Sequence, residues 1–437
     1  MSSSLTLPAD PPRAGLGFLA GLRTQLSDLG PILSTLRRHR IAAGLIVLEV
    51  ALSCAIVTNA LHLIQTRLDH LGSASGLAES ELVVLNVRGS TRTAPELVPG
   101  IVAQDLVRLR ALPGVQAATS ANQIVFGNNS NNSGVALEPG NKAGRIVASQ
   151  YSGDEQLLPT FGLKLVEGRN FTPDEVLDGF KAFDTEEPRI GQAIISKAMA
   201  ERLFPGRSAL GQSIYVFGNA PTTVVGVVET LTHPQMHLAR GGSGSENGNG
   251  SFAMLFPLRD GGSYVLRTEA GRRDAQIKAA TAALEQADPS RVVTQARTLT
   301  EMRSNFYAQD RAMAWLMGGV CVALLLVTAM GIVGLASFWV QQRTRMIGTR
   351  RALGATEGQI LRYFQLENLL LTTTGIVIGL AGAVALGQLL MQSYELPRLP
   401  WAYLPVGAVA LWLLGQVAVW VPARRAARLS PVAALRS

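Results

Sequence analysis

The chain has 437 residues, a net charge of +8, 47% hydrophobic and 16% charged residues. A length that could fold as two or three soluble domains is here combined with a mean hydropathy of +0.22, which excludes a fully soluble or disordered chain and points to the membrane class. Its two cysteines, Cys54 and Cys321, both fall in long apolar runs, so the polar part of the chain must be stable without a disulfide.

Residues 1–16 are rich in Ser, Pro and Gly and carry no core. From Phe18 to Arg40 apolar residues recur at helical spacing and meet Arg37, Arg38 and Arg40, which predicts an amphipathic helix on a membrane surface, interrupted at Pro31. The first apolar run, Ile41 to Leu63, is long enough to span a bilayer, which takes about 20 residues as helix. It is also too long, and starts too far into the chain, for the core of a cleaved signal peptide. It contains one acid, Glu49, where a charge must pair or protonate.

Residues 64–312 have ordinary polarity and read as a folded domain. Leu82 to Val87 predicts a strand, Val98 to Leu112 a helix and Val115 to Phe126 a strand, and the same order returns at Tyr264 to Thr268, Ala275 to Gln286 and Val292 to Leu299. Between these units, residues 135–262 predict an inserted, mostly β subdomain, and two runs, Gly127 to Gly134 and Arg240 to Gly250, read as solvated loops. His233 and His237, in THPQMH, have no evident third ligand and Pro234 between them, so no metal site is expected.

Three further apolar runs follow at Met313 to Val340, Leu369 to Met391 and Ala402 to Val421. The fold class is therefore an α-helical membrane protein with four transmembrane helices, one plus three, and a large α/β domain on one side with an inserted mostly β subdomain. Lys and Arg assign the sides. Residues 1–40 and 341–368 each hold five against two acids, and residues 422–437 hold four against none, whereas 64–312 hold 24 against 25. Both termini and the 341–368 loop are thus expected in the cytoplasm and the large domain outside. The positive charge then lies where anionic lipid and partner proteins are, rather than nucleic acid. Gly331, Gly334, Gly375, Gly379 and Gly382 predict close helix contacts, within one chain or across a dimer.

None of the five lysines follows a glycine, so a phosphate-binding GxxxxGK[ST] loop is absent, as are HExxH and GxSxG. No catalytic residue and no cofactor site is assigned, and any ATPase must be a second polypeptide.

The run Gln342 to Thr356, QRTRMIGTRRALGAT, resembles the loop of the FtsX/MacB permease family, close to R-x-x-E-I-G-x-R-R-A-L-G-A. The tail PARRAARLSPVAALR from Pro422 is similar to that family's ending, and FGL at Phe161, EGRNF at Glu167 and LFPG at Leu203 resemble its MacB-like periplasmic core. The resemblance implies the permease half of a bacterial inner-membrane ABC transporter that works with an ATPase subunit carrying ATP and Mg. It also implies a homodimer or a heterodimer with a related permease, and a periplasmic adaptor. Arg343, Arg345, Ile347, Gly348, Arg350, Arg351, Leu353 and Gly354 would form the ATPase-coupling loop. The residue types fit this by themselves: arginines meet acids or phosphates, Ile and Leu dock apolar surface, and Gly allows close approach. Met346 departs from the family, which commonly has an acid there. Substrate class stays open among peptide, antibiotic, lipid and lipoprotein. An FtsX-like regulator of a periplasmic hydrolase and an unpowered receptor or scaffold remain alternatives.

Overall fold

Contacts divide the chain into two units, residues 1–67 with 313–437, and residues 68–312. The computed structural model describes residues 40–89, 94–140, 145–185, 188–235, 251–259, 261–394 and 400–428. The surface helix expected before Arg40, the loop at 240–250, His237 and the tail from residue 429 lie outside the described residues.

The first helix, α1 (Arg40–Gly72), is followed in the α/β unit by β1 (Leu82–Gly89), α2 (Val98–Arg110) and β2 (Val115–Ala121). Then come β3 (Asn132–Val135), β4 (Ile146–Gly153), α3 (Leu157–Phe161), β5 (Leu165–Gly168), β6 (Leu177–Asp178) and α4 (Gly179–Phe183). After these lie β7 (Gln192–Ser196), α5 (Lys197–Leu203), β8 (Ser213–Tyr215), β9 (Pro221–Val228) and β10 (Ala253–Arg259). The unit ends with β11 (Ser263–Thr268), α6 (Arg273–Ala287), β12 (Arg291–Thr298) and α7 (Leu299–Phe306).

The strand LVVL of β1 is continuous rather than alternating because both its faces are covered. Val83 and Leu85 pack on Val102 and Leu106 of α2 and Leu284 of α6, while Leu82 and Val84 join Tyr151, Phe161 and Leu255 on the other side. The sheet order is β12-β1-β11-β2, antiparallel throughout. Two strand-helix-strand units thus interleave in a ferredoxin-like layer. Between β2 and β11 the chain leaves to build a second, mixed sheet, β3-β4-β10-β7-β9-β5, with β6 on β10 and β8 on β9. That insert begins at Asn132 because β3 pairs with β4, and the strand expected through Phe126 stops at Ala121, where a loop turns across the sheet end.

Among the described residues of this unit, Asp105 and Asp154 are fully buried, and each is met by arginine. Asp105 accepts from Tyr264 Oη at 2.5 Å and from Arg291 at 2.5 and 3.1 Å, tying α2 to β11 and β12. Burial, then the bond to Asp105, holds the Tyr264 phenol above its usual range. Asp154 pairs with Arg110 and accepts from Thr119 Oγ1 at 2.8 Å.

The helix unit contains most of α1 and of α8 (Ala308–Gln342), then α9 (Thr344–Ala352), α10 (Glu357–Tyr394) and α11 (Tyr403–Ala427). Helices α1, α8, α10 and α11 are long and apolar enough to cross a membrane. Close approach needs glycine. A Cβ on Gly375 would meet Val50 Cβ at 2.8 Å, and one on Gly379 would meet Ala51 O at 2.6 Å, so these two glycines seat α10 on α1 within one chain. Gly334 has open space beside it. Polar groups also bridge helices to α1: Ser53 and Thr328 of α8 have hydroxyls 2.7 Å apart, and Asn59 Nδ2 donates to Ala383 O of α10 at 3.2 Å. Helix α10 starts at Glu357, well before the apolar boundary at Leu369, because helix propensity continues where hydrophobicity stops.

Two outcomes follow for the α/β unit. Asp105→Ala strands a buried guanidinium, which costs about 3–5 kcal/mol. The temperature at which this unit loses protease resistance in the full chain is expected to fall by roughly 10 °C, and an unchanged midpoint would contradict the structural role of the network. Elsewhere, Glu175 receives Arg169 at 2.6 and 2.9 Å and the Thr172 amide at 2.9 Å. The Arg169 hydrogen bonds chiefly hold its carboxyl at about 2, below the ordinary 4.5. This stabilisation is fully present above pH 4.5 and is lost as pH falls from 4.5 toward 2. Glu175→Gln is expected to flatten that acid limb in a pH series of the same unfolding measurement.

Candidate coupling site

The run RALGATEGQ is a compact instruction for turning one helix into the next. Gly354 takes φ +98°, the left-handed conformation that glycine adopts without strain. Its N–H donates to Arg351 O at 3.1 Å and the next N–H, of Ala355, donates to Arg350 O at 3.0 Å, a Schellman closure of α9. Two residues on, Thr356 and Gln359 exchange bonds: Gln359 N donates to Thr356 Oγ1 at 3.3 Å and Thr356 N to Gln359 Oε1 at 2.9 Å. This capping box starts α10. The region read as a loop is therefore a helix, a closed turn and a second helix.

Leu353 stands at the tip of that turn with 83% of its surface exposed. Arg345 and Met346 are also exposed on α9. Arg350 lies with its guanidinium 4.8 Å from the Tyr363 ring centre, and Arg351 pairs with Glu357 at 3.8 Å. These contacts orient the two arginines and leave them half-buried.

Arg343, Ile347 and Gly348, read from the sequence as facing a partner, are placed inward. Ile347 is buried among Ile360, Phe364, Ala423 and Ala426 of α10 and α11, because one face of a short helix must cover its neighbours' apolar surface. Gly348 is buried on the same helix. Arg343 lies at the break between α8 and α9, where its Nη1 donates to Glu367 Oε2 at 2.7 Å. Its guanidinium also sits 5.5 Å from the Trp339 ring. Side-chain exposure is 9% for Arg343 and 2% for Glu367, so this is a buried charge pair. Glu367 Oε1, Asn368 Nδ2 and Trp339 Nε1 have no protein partner among the described residues and border a cavity of about 10 Å³, the size that holds one water. Glu367, Asn368, Tyr363 and Trp339 were not singled out in the sequence. The only signal was an acid just before an apolar run, which charge counting assigns to solvent.

Glu49 is half-buried on α1 and its carboxylate closes against Gly331 of α8, where any Cβ would collide with it. Cys54 and Cys321 are free and buried. His233 Nδ1 accepts from Gln235 N at 3.0 Å and its Nε2 lies 3.2 Å from Ser130 Oγ. Among the described residues, no group of three His, Cys, Asp or Glu could hold a metal ion.

Residues 45–299 match the MacB-like periplasmic core domain and residues 318–431 the FtsX-like permease C-terminal domain. The uncharacterized ABC transporter permease YknZ of Bacillus subtilis strain 168 is 28% identical over 281 residues, 63% of this chain and 66% of YknZ. The pyoverdine export ATP-binding/permease protein PvdT of Pseudomonas syringae pv. tomato is 27% identical over 370 residues, 82% of this chain and 51% of PvdT. The chain thus spans about half the length of such export proteins. The crystal structure of the extracellular domain of YknZ is similar at a TM-score of 0.31 and 17% identity, over 48% of this chain and 100% of that domain. With the two domain matches together covering most of its length, the chain belongs to the MacB/FtsX-like family of ABC transporter permeases.

Proposed function

We propose that the chain is the permease subunit of an exporter, in which the α9–α10 turn docks a separate ATPase and ATP-driven movement of that turn is passed to the MacB-like domain. The observation that carries this reading is an apolar tip, Leu353, held out by two locked helix ends and flanked by Arg350 and Arg351. A partner cleft with acidic edges would bury Leu353 and meet the arginines beside it.

In this reading ATP and Mg bind to the ATPase, both termini and the turn face the cytoplasm as the arginine distribution requires, and the MacB-like domain is periplasmic. Arg345 joins the docking surface. Arg343 and Glu367 act from inside, fastening the base of the turn so that force on Leu353 moves α8 and α10 together. A second permease copy completes the membrane part, with α8, the least buried of the four spans, as its contact face. Export, rather than control of a hydrolase, is supported by likeness to proteins named for pyoverdine and macrolide export.

Purification of the tagged protein from its native membrane in gentle detergent is expected to capture an ATPase, and Leu353→Asp, at a position free of internal packing, to lose it. Equal capture by both forms would remove the turn from the interface, and no ATPase with either, even after crosslinking, would remove the transporter reading. Arg343→Ala is expected to lower the yield of folded protein, as breaking a buried pair costs about 3–5 kcal/mol, and the apolar double replacement Arg343→Met with Glu367→Leu to restore most of it. If the single variant instead folds normally and only fails to capture the ATPase, Arg343 is a docking residue and not an internal fastening.

A further inference from the structure

The α/β unit contains a cavity of about 640 Å³ that the coupling mechanism does not use. Its size falls within the range of about 300–1,000 Å³ typical of small-ligand sites. One wall is the sheet face formed by β1 and β12, and the opposite side is the loop after β2 together with α7. Val84, Ile124, Phe126, Met302 and Phe306 supply an apolar lining.

That lining is held in shape at some cost. Phe126 is the one non-glycine residue with positive φ among the described residues, at 66°. For a bulky side chain this conformation is strained and persists only where the surroundings enforce it. Here its ring lies 5.6 Å from that of Phe306 and 5.8 Å from that of Tyr307, the Arg303 guanidinium is 5.5 Å from it, and its N–H donates to Pro234 O at 3.0 Å. Strain so secured is typical of ligand clamps.

The polar lining states what could be held. Asn86 accepts from Ser263 at 2.5 Å and donates to Gln295 Oε1 at 3.3 Å, so the Gln295 NH₂ is the group left to donate. Asn128 and Asn305 add further carboxamides. Each such group offers a donor beside an acceptor, matching a peptide bond, whereas an alkyl chain would leave these groups desolvated and unpaired. The ionisable lining residues among those described are Arg88 and Arg297. Arg297 faces Glu301 at 3.9 Å, which leaves exposed Arg88 as the anchoring cation. We propose that this cavity binds a short apolar peptide, its terminal carboxylate on Arg88, its amides on the Gln and Asn side chains, and its apolar side chain against Phe126 and Phe306.

As the substrate class of the exporter, this inference rests on the reading above. Binding itself is measured without ATPase, so failure of either result leaves the other standing. The full chain in phosphatidylcholine nanodiscs would be titrated with dansyl-Leu-Phe bearing a free carboxyl terminus, beside empty nanodiscs. Saturable binding is expected, weakened about tenfold or more by Arg88→Glu and likewise for the C-terminal carboxamide of the probe. Gln295→Leu, a second exposed position, is expected to weaken binding several-fold without changing the thermal midpoint. Absence of saturable binding, indifference to both substitutions, or displacement of the probe by equimolar dodecanoate would overturn the proposal, the last assigning the cavity to lipid.

Discussion

A carboxylate taken out of water has to be given a cation and hydrogen bonds, and much of this chain is arranged around that requirement. Asp105 draws Arg291 and Tyr264 to it and so holds two strands against α2. Asp154 draws Arg110. In the helix unit Glu367 draws Arg343, which lies at the break between α8 and α9. Each pair joins segments remote in sequence, so each selects one packing among several that apolar burial alone would allow. The energy of such pairs is modest when made and large when one member is removed.

Helix packing in the membrane-type unit obeys a different constraint. Lipid tails are as apolar as leucine, so helices associate through close contact and shared polar groups rather than through hydrophobic burial. Gly375 and Gly379 let α10 approach α1, and Ser53, Thr328 and Asn59 add hydrogen bonds along the contacts of α1. Gly331 gives the Glu49 carboxylate a place against α8. These contacts join α1 to α8 and to α10. That suits the proposed role, in which displacement at the α9–α10 turn is carried along helices instead of through a polar pore.

The α/β unit shows how one layer can carry another. The ferredoxin-like sheet has an intact core on its helix side, and the excursion between β2 and β11 supplies a second sheet that covers part of the opposite face. Where that cover ends, between the strained loop at Phe126 and α7, the cavity remains. Domain architecture and cavity therefore have one origin: a sheet whose second face is only partly roofed.

Much of this is readable in the sequence. Four apolar runs, the arginine asymmetry and two strand-helix-strand patterns are local or periodic signals, and periodicity reports which face of an element is buried without saying against what. Gly354 and the Thr356–Gln359 spacing are chemical marks of helix termini, yet they lie in a basic run read as a loop, so α9 emerged only in the structure. What composition could not separate was arginine from arginine. Arg343 and Arg350 lie seven residues apart in one basic run, yet one is buried on Glu367 and the other lies half-exposed on Tyr363. Ile347 and Leu353 look equally fit for docking, and only one is exposed. The cavity likewise joins β1, the loop after β2, β12 and α7, segments separated by up to about two hundred residues of sequence. Sequence by itself determined most of the elements and the family, because those depend on neighbours along the chain, but not every terminus, since β2 ends at Ala121 and two helices occupy the run read as a loop. Tertiary structure alone decided which charges pair and which faces stay open, because partners for buried charge come from distant segments that only folding brings together.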